Sequence, residues 1–483
     1  MTALTEDTLP TPASSRYGLH KWFDHRFVVA VLAAAGSALV WFGAGTLSVS
    51  GRIALIVFLL AGIGWTLTRL NDTTVAIVAT LALVLPGIVP QQQMFATFGD
   101  PLIWLLVAAF VVAAVLRETG VTTRVSLVVL GTAGSIRQLF YLLTFFIVAT
   151  ALVIPSTSGR AALLLPVFLA LSEAVDDRRF RRALALLFPS VILLSAGGSL
   201  IGAGAHLIAV GYIANADGQP VSYLRWLELG MPLALLCSLF ATEAVLRLFL
   251  SGDERRALPR VPAGASAAFG LREGYVAGIV VLTVALWATS TWHRISAPVA
   301  AIAAAVALTI PSLSGVSLKT ALRAVEWELI LFLAATLAMG RSLVSTGAAE
   351  WLATCLLAGV KEDLLHGPMS VAAFVAVVSV LAHLVITSRT ARVTVLVPAL
   401  VLPIAALGYD PAGLVLLCAM GTGFCQTLPV SAKAVALFGT LDEPTYDAGD
   451  LLRLSAVLAP VVTLLLLVFA LWVWPVLGMP LAR

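Results

Sequence analysis

Apolar runs of about 17 to 25 residues recur from Phe27 to Trp474, each long enough to cross a hydrocarbon core of ~30 Å. A bilayer offers the backbone no water, so such runs are satisfied only as helices or as a closed barrel. The barrel is excluded, because both faces of each run are apolar over whole turns and the alternation of a membrane strand is missing. Charge content agrees: 11% of the 483 residues are charged, against roughly 25% in a soluble domain. The expected fold is an all-α polytopic membrane protein of the cell (cytoplasmic or inner) membrane, with the lipid bilayer as a partner.

The 29 Lys and Arg outnumber the 25 Asp and Glu by four, and the excess lies in short loops. There it sets orientation and implies no nucleic-acid partner. Cys237, Cys355, Cys418 and Cys425 fall in or beside apolar runs, without CxxC or zinc spacing, so neither a disulfide nor a metal centre is expected. Residues 1–26 are polar and no small-residue cleavage site follows the first run, which predicts a retained cytoplasmic tail carrying Arg16, Lys21 and Arg26. Trp41, Trp65, Trp104, Trp287, Trp292, Trp472 and Trp474 lie near span ends, as an aromatic belt requires. Glu243 is expected to pair with Arg247 one turn later.

Threaded from an inside N-terminus, spans near 27–49, 53–69, 73–90 and 101–116 return the chain to the cytoplasm at Arg117 and Arg124. Segment 137–175 departs from a simple crossing. Two apolar limbs flank Ile154-Pro155-Ser156-Thr157-Ser158-Gly159-Arg160, with Arg137 on one side and Arg178, Arg179, Arg181 and Arg182 on the other. Both flanks favour the cytoplasm, which predicts an inward re-entrant hairpin whose polar tip is covered by protein or lines a water-filled cavity. The stretch 183–213 is interrupted by a glycine-rich segment from Ser195 to His206, which predicts a broken helix. After a span at 226–250, which closes a first half of residues 27–250, residues 251–273 with Arg255, Arg256, Pro259, Arg260, Pro262 and Arg272 form a cytoplasmic linker.

Residues 274–483 repeat this plan. Spans near 275–290, 297–311 and 327–344 and a short amphipathic piece around Trp351 lead to a hairpin at 369–407, with the tip Ile386-Thr387-Ser388-Arg389-Thr390-Ala391-Arg392. A broken helix follows at 411–440, interrupted between Gly421 and Lys433. An offset of 232 residues lays Ser156, Ser158 and Arg160 on Ser388, Thr390 and Arg392, and Pro166 on Pro398; an offset of 228 lays Ser199-Leu200 on Thr427-Leu428. Lys361-Glu362-Asp363 and Asp410 flank the second hairpin without an arginine cluster, which places it outside. Inverted-topology repeats with interrupted helices at midplane are the organisation of a secondary transporter, with its substrate where the repeats meet.

The chemistry of the tips points to an anion. Helix N-termini and hydroxyls favour carboxylate-like oxygens, which makes Ser156, Thr157, Ser158, Ser388 and Thr390 substrate-binding candidates. Arg160 and Arg392 carry a charge near the bilayer centre, at a cost of about 2.5 to 3.5 kcal/mol each, and suit carboxylate or sulfate oxygens bidentately. The competing account is a structural tie to a carbonyl or an acid. Arg389 and Lys433 are further cations of the second repeat, lining the site or reaching to the surface. Ser199, Thr427 and Ser431 in the breaks complete the substrate-binding set. His206 and His383 are packing residues or proton relays.

With paired tips and paired breaks, the chain from about residue 50 onward resembles the divalent anion:sodium symporter family, carriers of dicarboxylates, citrate and sulfate. The resemblance rests on Ser156-Thr157-Ser158 and Ser388-Arg389-Thr390 at the tips and on Ser199-Leu200-Ile201-Gly202 and Thr427-Leu428-Pro429-Val430-Ser431 at the breaks. It implies about eleven transmembrane helices plus two re-entrant hairpins, an inward N-terminus, a homodimer and an elevator-type movement. It also implies no cofactor but a coupling ion, Na⁺ or H⁺, near Gly198, Gly202, Gly423 and Pro429. The chain departs from the family where Thr157 and Arg389 replace the two tip asparagines, and where both breaks lack an asparagine. Those departures predict loss of at least the second sodium site, with anion exchange or a reduced ion stoichiometry.

The expected function is secondary transport of small di- or multivalent oxyanions, a dicarboxylate or else sulfate. An anion channel lined by Arg160, Arg389 and Arg392 is the alternative. An enzyme is not expected, since no acid–base pair or metal set occurs and Ser388 lies five residues from His383. Nucleotide-driven pumping lacks a GxxxxGK[ST] run.

Overall fold

The computed structural model describes residues 16–175, 177–217, 221–258, 270–359, 367–439 and 445–482. Among them the structure is helical, with an isolated backbone bridge between Tyr409 and Ala482 and no strand. Eight helices among the described residues are long and apolar enough to cross a membrane. The shorter apolar helices Asp72–Val84, Ile136–Thr150, Ala297–Leu308, Pro368–Leu384 and Pro411–Gly421 include limbs of both hairpins and one half of the second broken helix. The chain is thus an all-α polytopic membrane protein.

The first helix spans Arg16–Gly43, so it starts before the apolar run at Phe27, within the stretch expected as a tail. Residues 1–15 of that tail and 259–269 of the linker lie outside the described residues. Helices begin where a polar side chain can accept from their own first amides, a need that lipid sharpens. Asn71 accepts from Thr73 N and Thr74 N at 3.0 and 3.1 Å, Asp100 from Leu102 N at 3.0 Å, and Asp410 from Ala412 N at 2.9 Å.

The two segments expected as hairpin tips are built the same way. The incoming limb Ile136–Thr150 turns through Pro155 into the outgoing limb Thr157–Ala174, capped by Ser156, whose hydroxyl accepts from Gly159 N at 3.4 Å. In the second hairpin Pro368–Leu381 turns into Arg389–Leu396, capped by Ser388, which accepts from Ala391 N at 3.3 Å. Thr157, Ser158 and Arg160, like Arg389, Thr390 and Arg392, therefore stand on the first turn of a helix, so the second tip is shorter than the expected stretch from Ile386 to Arg392. Pro166 lies inside its limb, whereas Pro398 falls in the π-helical segment Val397–Val401, one way to absorb a missing amide donor.

Each broken helix passes through an extended or tightly turned segment. Arg178–Ser195 gives way to short turns at Ala196–Gly198 and Leu200–Gly202 before Gly204–Asp217 resumes; Pro411–Gly421 ends and Lys433–Gly439 resumes. The segments interlock: Gly204–Asp217 packs on Pro411–Gly421, and Lys433–Gly439 packs on Arg178–Ser195. This brings the two breaks together around a narrow cavity of about 20 Å³ lined by Gly197, Arg389, Met420 and Gly423. The first break closes on itself at Gly202, where a Cβ would lie 2.3 Å from the Ala196 carbonyl oxygen.

Three tryptophans depart from the expected belt. Trp65, Trp287 and Trp474 are buried, because their indole N–H groups donate inward to the carbonyls of Asp72, Ala297 and Leu229 at 3.1, 3.0 and 2.9 Å. Trp41, Trp104, Trp292 and Trp472 are exposed. Glu243 accepts from Arg247 Nε at 2.6 Å as expected, and also from Arg137 and the Tyr141 hydroxyl.

Candidate functional site

The two tip arginines occupy matching places with opposite hydrogen bonding. Arg160 is fully buried and spends its donors on protein: Nε on Thr150 Oγ1 at 3.1 Å, Nη1 on the Ile192 carbonyl at 2.9 Å, and Nη2 on the Ile147 carbonyl at 2.6 Å and Ser195 Oγ at 2.7 Å. Its guanidinium ties the first tip to the end of the helix before the first break, whose last carbonyls lack helical partners. Arg392, equally buried, makes one long bond, from Nη1 to the Phe424 carbonyl at 3.4 Å, and its Nε and Nη2 have no partner.

Arg389 sits between the breaks. Its Nη2 donates to His206 Nε2 at 2.9 Å, while its buried Nε and Nη1 have no partner. Gly423 leaves room for it, since a Cβ there would lie 2.9 Å from Nη2. His206 Nδ1 is 2.9 Å from the Ser199 carbonyl, to which it can only donate, so Nε2 is free to accept from Arg389. Trp226 packs against the imidazole at 5.1 Å between centroids and donates to the Gly197 carbonyl. Among the described residues no ion pair involves Arg389 or Arg392.

The remaining sequence-derived candidates separate. Thr157, Ser158, Ser388 and Thr390 are half-buried on the first turns of the outgoing limbs. Ser199 is buried with its hydroxyl 3.4 Å from Tyr223 Oη, which itself donates to the Leu152 carbonyl. Ser431 is buried and accepts from Leu428 N at 2.9 Å, closing the second break. Thr427 Oγ1 is 2.8 Å from His383 Nε2, whose other ring nitrogen lies 2.7 Å from the Val380 carbonyl. Both histidines thus have a backbone tie on Nδ1. Gly198 is buried and Pro429 exposed. Lys433 is exposed.

Two carboxylates at the tips escaped sequence reading. Ser156 Oγ donates to Glu326 Oε1 at 3.0 Å, and Asp72 lies beside Ser388. Lys433 is in electrostatic range of both acids. Each acid stands at the start of an apolar helix, where a sequence shows only the end of a span.

The model of the sodium:sulfate symporter transmembrane region matches residues 22–480. The chain belongs to that family. Among its relatives, a membrane protein of Cupriavidus necator is 24% identical over 466 residues, 89% of each chain. The sodium-dependent dicarboxylate transporter SdcS of Staphylococcus saprophyticus is 24% identical over 442 residues, 83% of this chain and 82% of the relative. The YdaH transporter of Alcanivorax borkumensis has the same fold at a TM-score of 0.56 and 14% identity, covering 89% of this chain and all of that one. MtrF of Neisseria gonorrhoeae, of a class of antimetabolite efflux pumps, aligns at a TM-score of 0.54 and 14% identity over 92% of this chain and all of its own. The family and these neighbours are transporters and not enzymes, and membership implies a coupling ion and no cofactor.

Proposed function

We propose that the protein is a secondary active transporter of small di- or multivalent oxyanions, with dicarboxylates as its main substrates, working by elevator-type alternating access as a homodimer. The observation that carries this reading is the second tip, where Arg389 and Arg392 hold four guanidinium nitrogens buried without partners. An uncompensated buried charge costs several kcal/mol, and the guanidinium fork fits carboxylate or sulfate oxygens. An oxyanion bound there offsets that cost. Ser156, Thr157, Ser158, Ser388 and Thr390 supply hydroxyls and the helix N-termini supply amides, while exposed Lys433 draws anions toward the tips. The names of the staphylococcal relatives support the dicarboxylate class.

In this reading Arg160 is a tie rather than a ligand, since its donors are taken, and Ser199 and Ser431 shape the breaks. Matching caps at an offset of 232 residues and interlocked breaks support two inverted repeats with re-entrant hairpins, about eleven crossing helices and an inward N-terminus. Arg389 also bears on coupling. Its guanidinium stands against Gly423 and lines the cavity that Gly197 also borders, which favours a fixed charge in place of one bound Na⁺ at the second break. Gly198 and Gly202 of the first break remain the proposed cation-binding positions, and Gly423 and Pro429 lose that role.

The test is uptake of labelled succinate and sulfate into proteoliposomes, with and without an inward Na⁺ gradient and with and without unlabelled internal anion. Accumulation of either anion is expected, with internal anion stimulating it more than Na⁺ does. No saturable uptake of any oxyanion would sink the reading, and single-channel currents insensitive to preloading would replace it with a channel.

A further inference from the structure

We propose that Glu326 is a tethered competitor of the substrate: in the empty carrier its carboxylate occupies the oxygen-binding position of the first tip, and a bound oxyanion must displace it. The inference rests on the oxyanion reading and names the residue that sets apparent affinity. Glu326 Oε1 accepts from Ser156 Oγ at 3.0 Å and lies 3.7 Å from where a Cβ on Gly159 would stand. The carboxylate therefore sits over the first turn of an 18-residue helix, where free amides and the helix dipole attract a negative group.

Glu326 does not serve its own helix. It occupies the residue before Trp327–Ser345, yet its side chain makes no capping bond there. Asp100 stands in the corresponding place before Pro101–Thr119 and does both local jobs, accepting from Leu102 N and lying 3.5 Å from Arg341. Glu326 lacks an ion pair within 4 Å among the described residues and reaches across to the other half of the chain. Ser156, its partner, is held at φ +74, a conformation that non-glycine residues keep only where surroundings enforce it. The second tip repeats the theme, with Asp72 beside Ser388. Each tip serine thus has an acid from an apolar helix start beside it.

The experiment uses the full chain with Gly159→Cys as a reporter in a Cys355→Ser background, because the other native cysteines are buried. A Cβ at position 159 meets only ordinary contacts. Labelling rates are compared for an anionic sulfonatoethyl and a neutral methyl methanethiosulfonate. Glu326→Gln should raise the anionic-to-neutral rate ratio about tenfold by removing the competing charge, and Glu326→Asp should leave it as in the parent. Equal ratios in parent and Glu326→Gln overturn the proposal. In proteoliposomes Glu326→Gln should lower the KM for succinate about tenfold without raising kcat, and an unchanged KM overturns it too. If the parent transports no oxyanion, the transport reading fails, while the labelling ratio still decides whether Glu326 occupies the tip.

Discussion

Arg160 and Arg389, both near a tip, differ in what their guanidinium groups meet. Arg160 fills a buried slot with four hydrogen bonds to protein, so Arg160→Ala takes a buried donor from the Ile192 carbonyl and from Ser195 and leaves the Ile147 carbonyl with Thr150 alone, at about 1–3 kcal/mol. We expect a melting temperature in detergent lower by about 5 °C, and no rescue by Arg160→Lys, whose point charge cannot span the same acceptors. Arg389→Ala removes a charge with two idle nitrogens, so its melting temperature should hold or rise while uptake falls at least about hundredfold. A stable, inactive Arg160→Ala would reverse this assignment. The sequence flagged Arg160 and Arg392 as costly in a membrane and Arg389 as a further cation; that the Arg160 cost is met depended on Thr150 and Ile147 nearby and on Ile192 and Ser195, 32 and 35 residues away.

At the scale of elements, the breaks are held open by glycines of two kinds. A Cβ on Gly202 would lie 2.3 Å from the backbone oxygen of Ala196, whereas one on Gly423 would lie 2.9 Å from the movable end of Arg389 and from the Met420 carbonyl. Gly202→Ala should therefore yield the less folded protein in membrane extracts, while Gly423→Ala, with the milder backbone contact, should lose less folded protein and show a raised KM in what folds. Equal losses of folded protein in the two variants would contradict this ranking. The break itself was legible from glycine density, and the polar segments around Ser156 and Ser388 from their place between apolar runs. The start of each outgoing helix was not, because Ser156 and Ser388 cap the next turn with their own hydroxyls and turn an apparent loop into a first helical turn.

At the scale of the molecule, the proposed alternating access predicts that the first tip leaves Glu326 during each cycle. A Ser156→Cys, Glu326→Cys pair should cross-link on oxidation and stop uptake relative to the same protein kept reduced, with recovery on adding dithiothreitol. Unchanged uptake by the oxidised protein would mean that the tip stays put. Because Asp100 precedes Pro101–Thr119 as Glu326 precedes Trp327–Ser345, the opposite-facing state should bring Ser388 toward Asp100. A Ser388→Cys, Asp100→Cys pair is expected to cross-link only when substrate drives turnover.

Composition and period by themselves determined that this chain lives in a membrane as helices, since apolar runs of that length leave the backbone no other way to pair. Repetition at an offset of 232 residues picked out Ser156 and Ser388, which both cap the helix that follows them, because a helix start favours a hydroxyl that can accept from its first amides. Tertiary structure alone decided which polar groups remained available. Burial left Arg389 and Arg392 with free donors, consumed those of Arg160, turned Trp65, Trp287 and Trp474 inward, and set Glu326 on Ser156 across 170 residues of chain. A side chain's partner is a matter of what folds against it, and that is not written in its own neighbourhood.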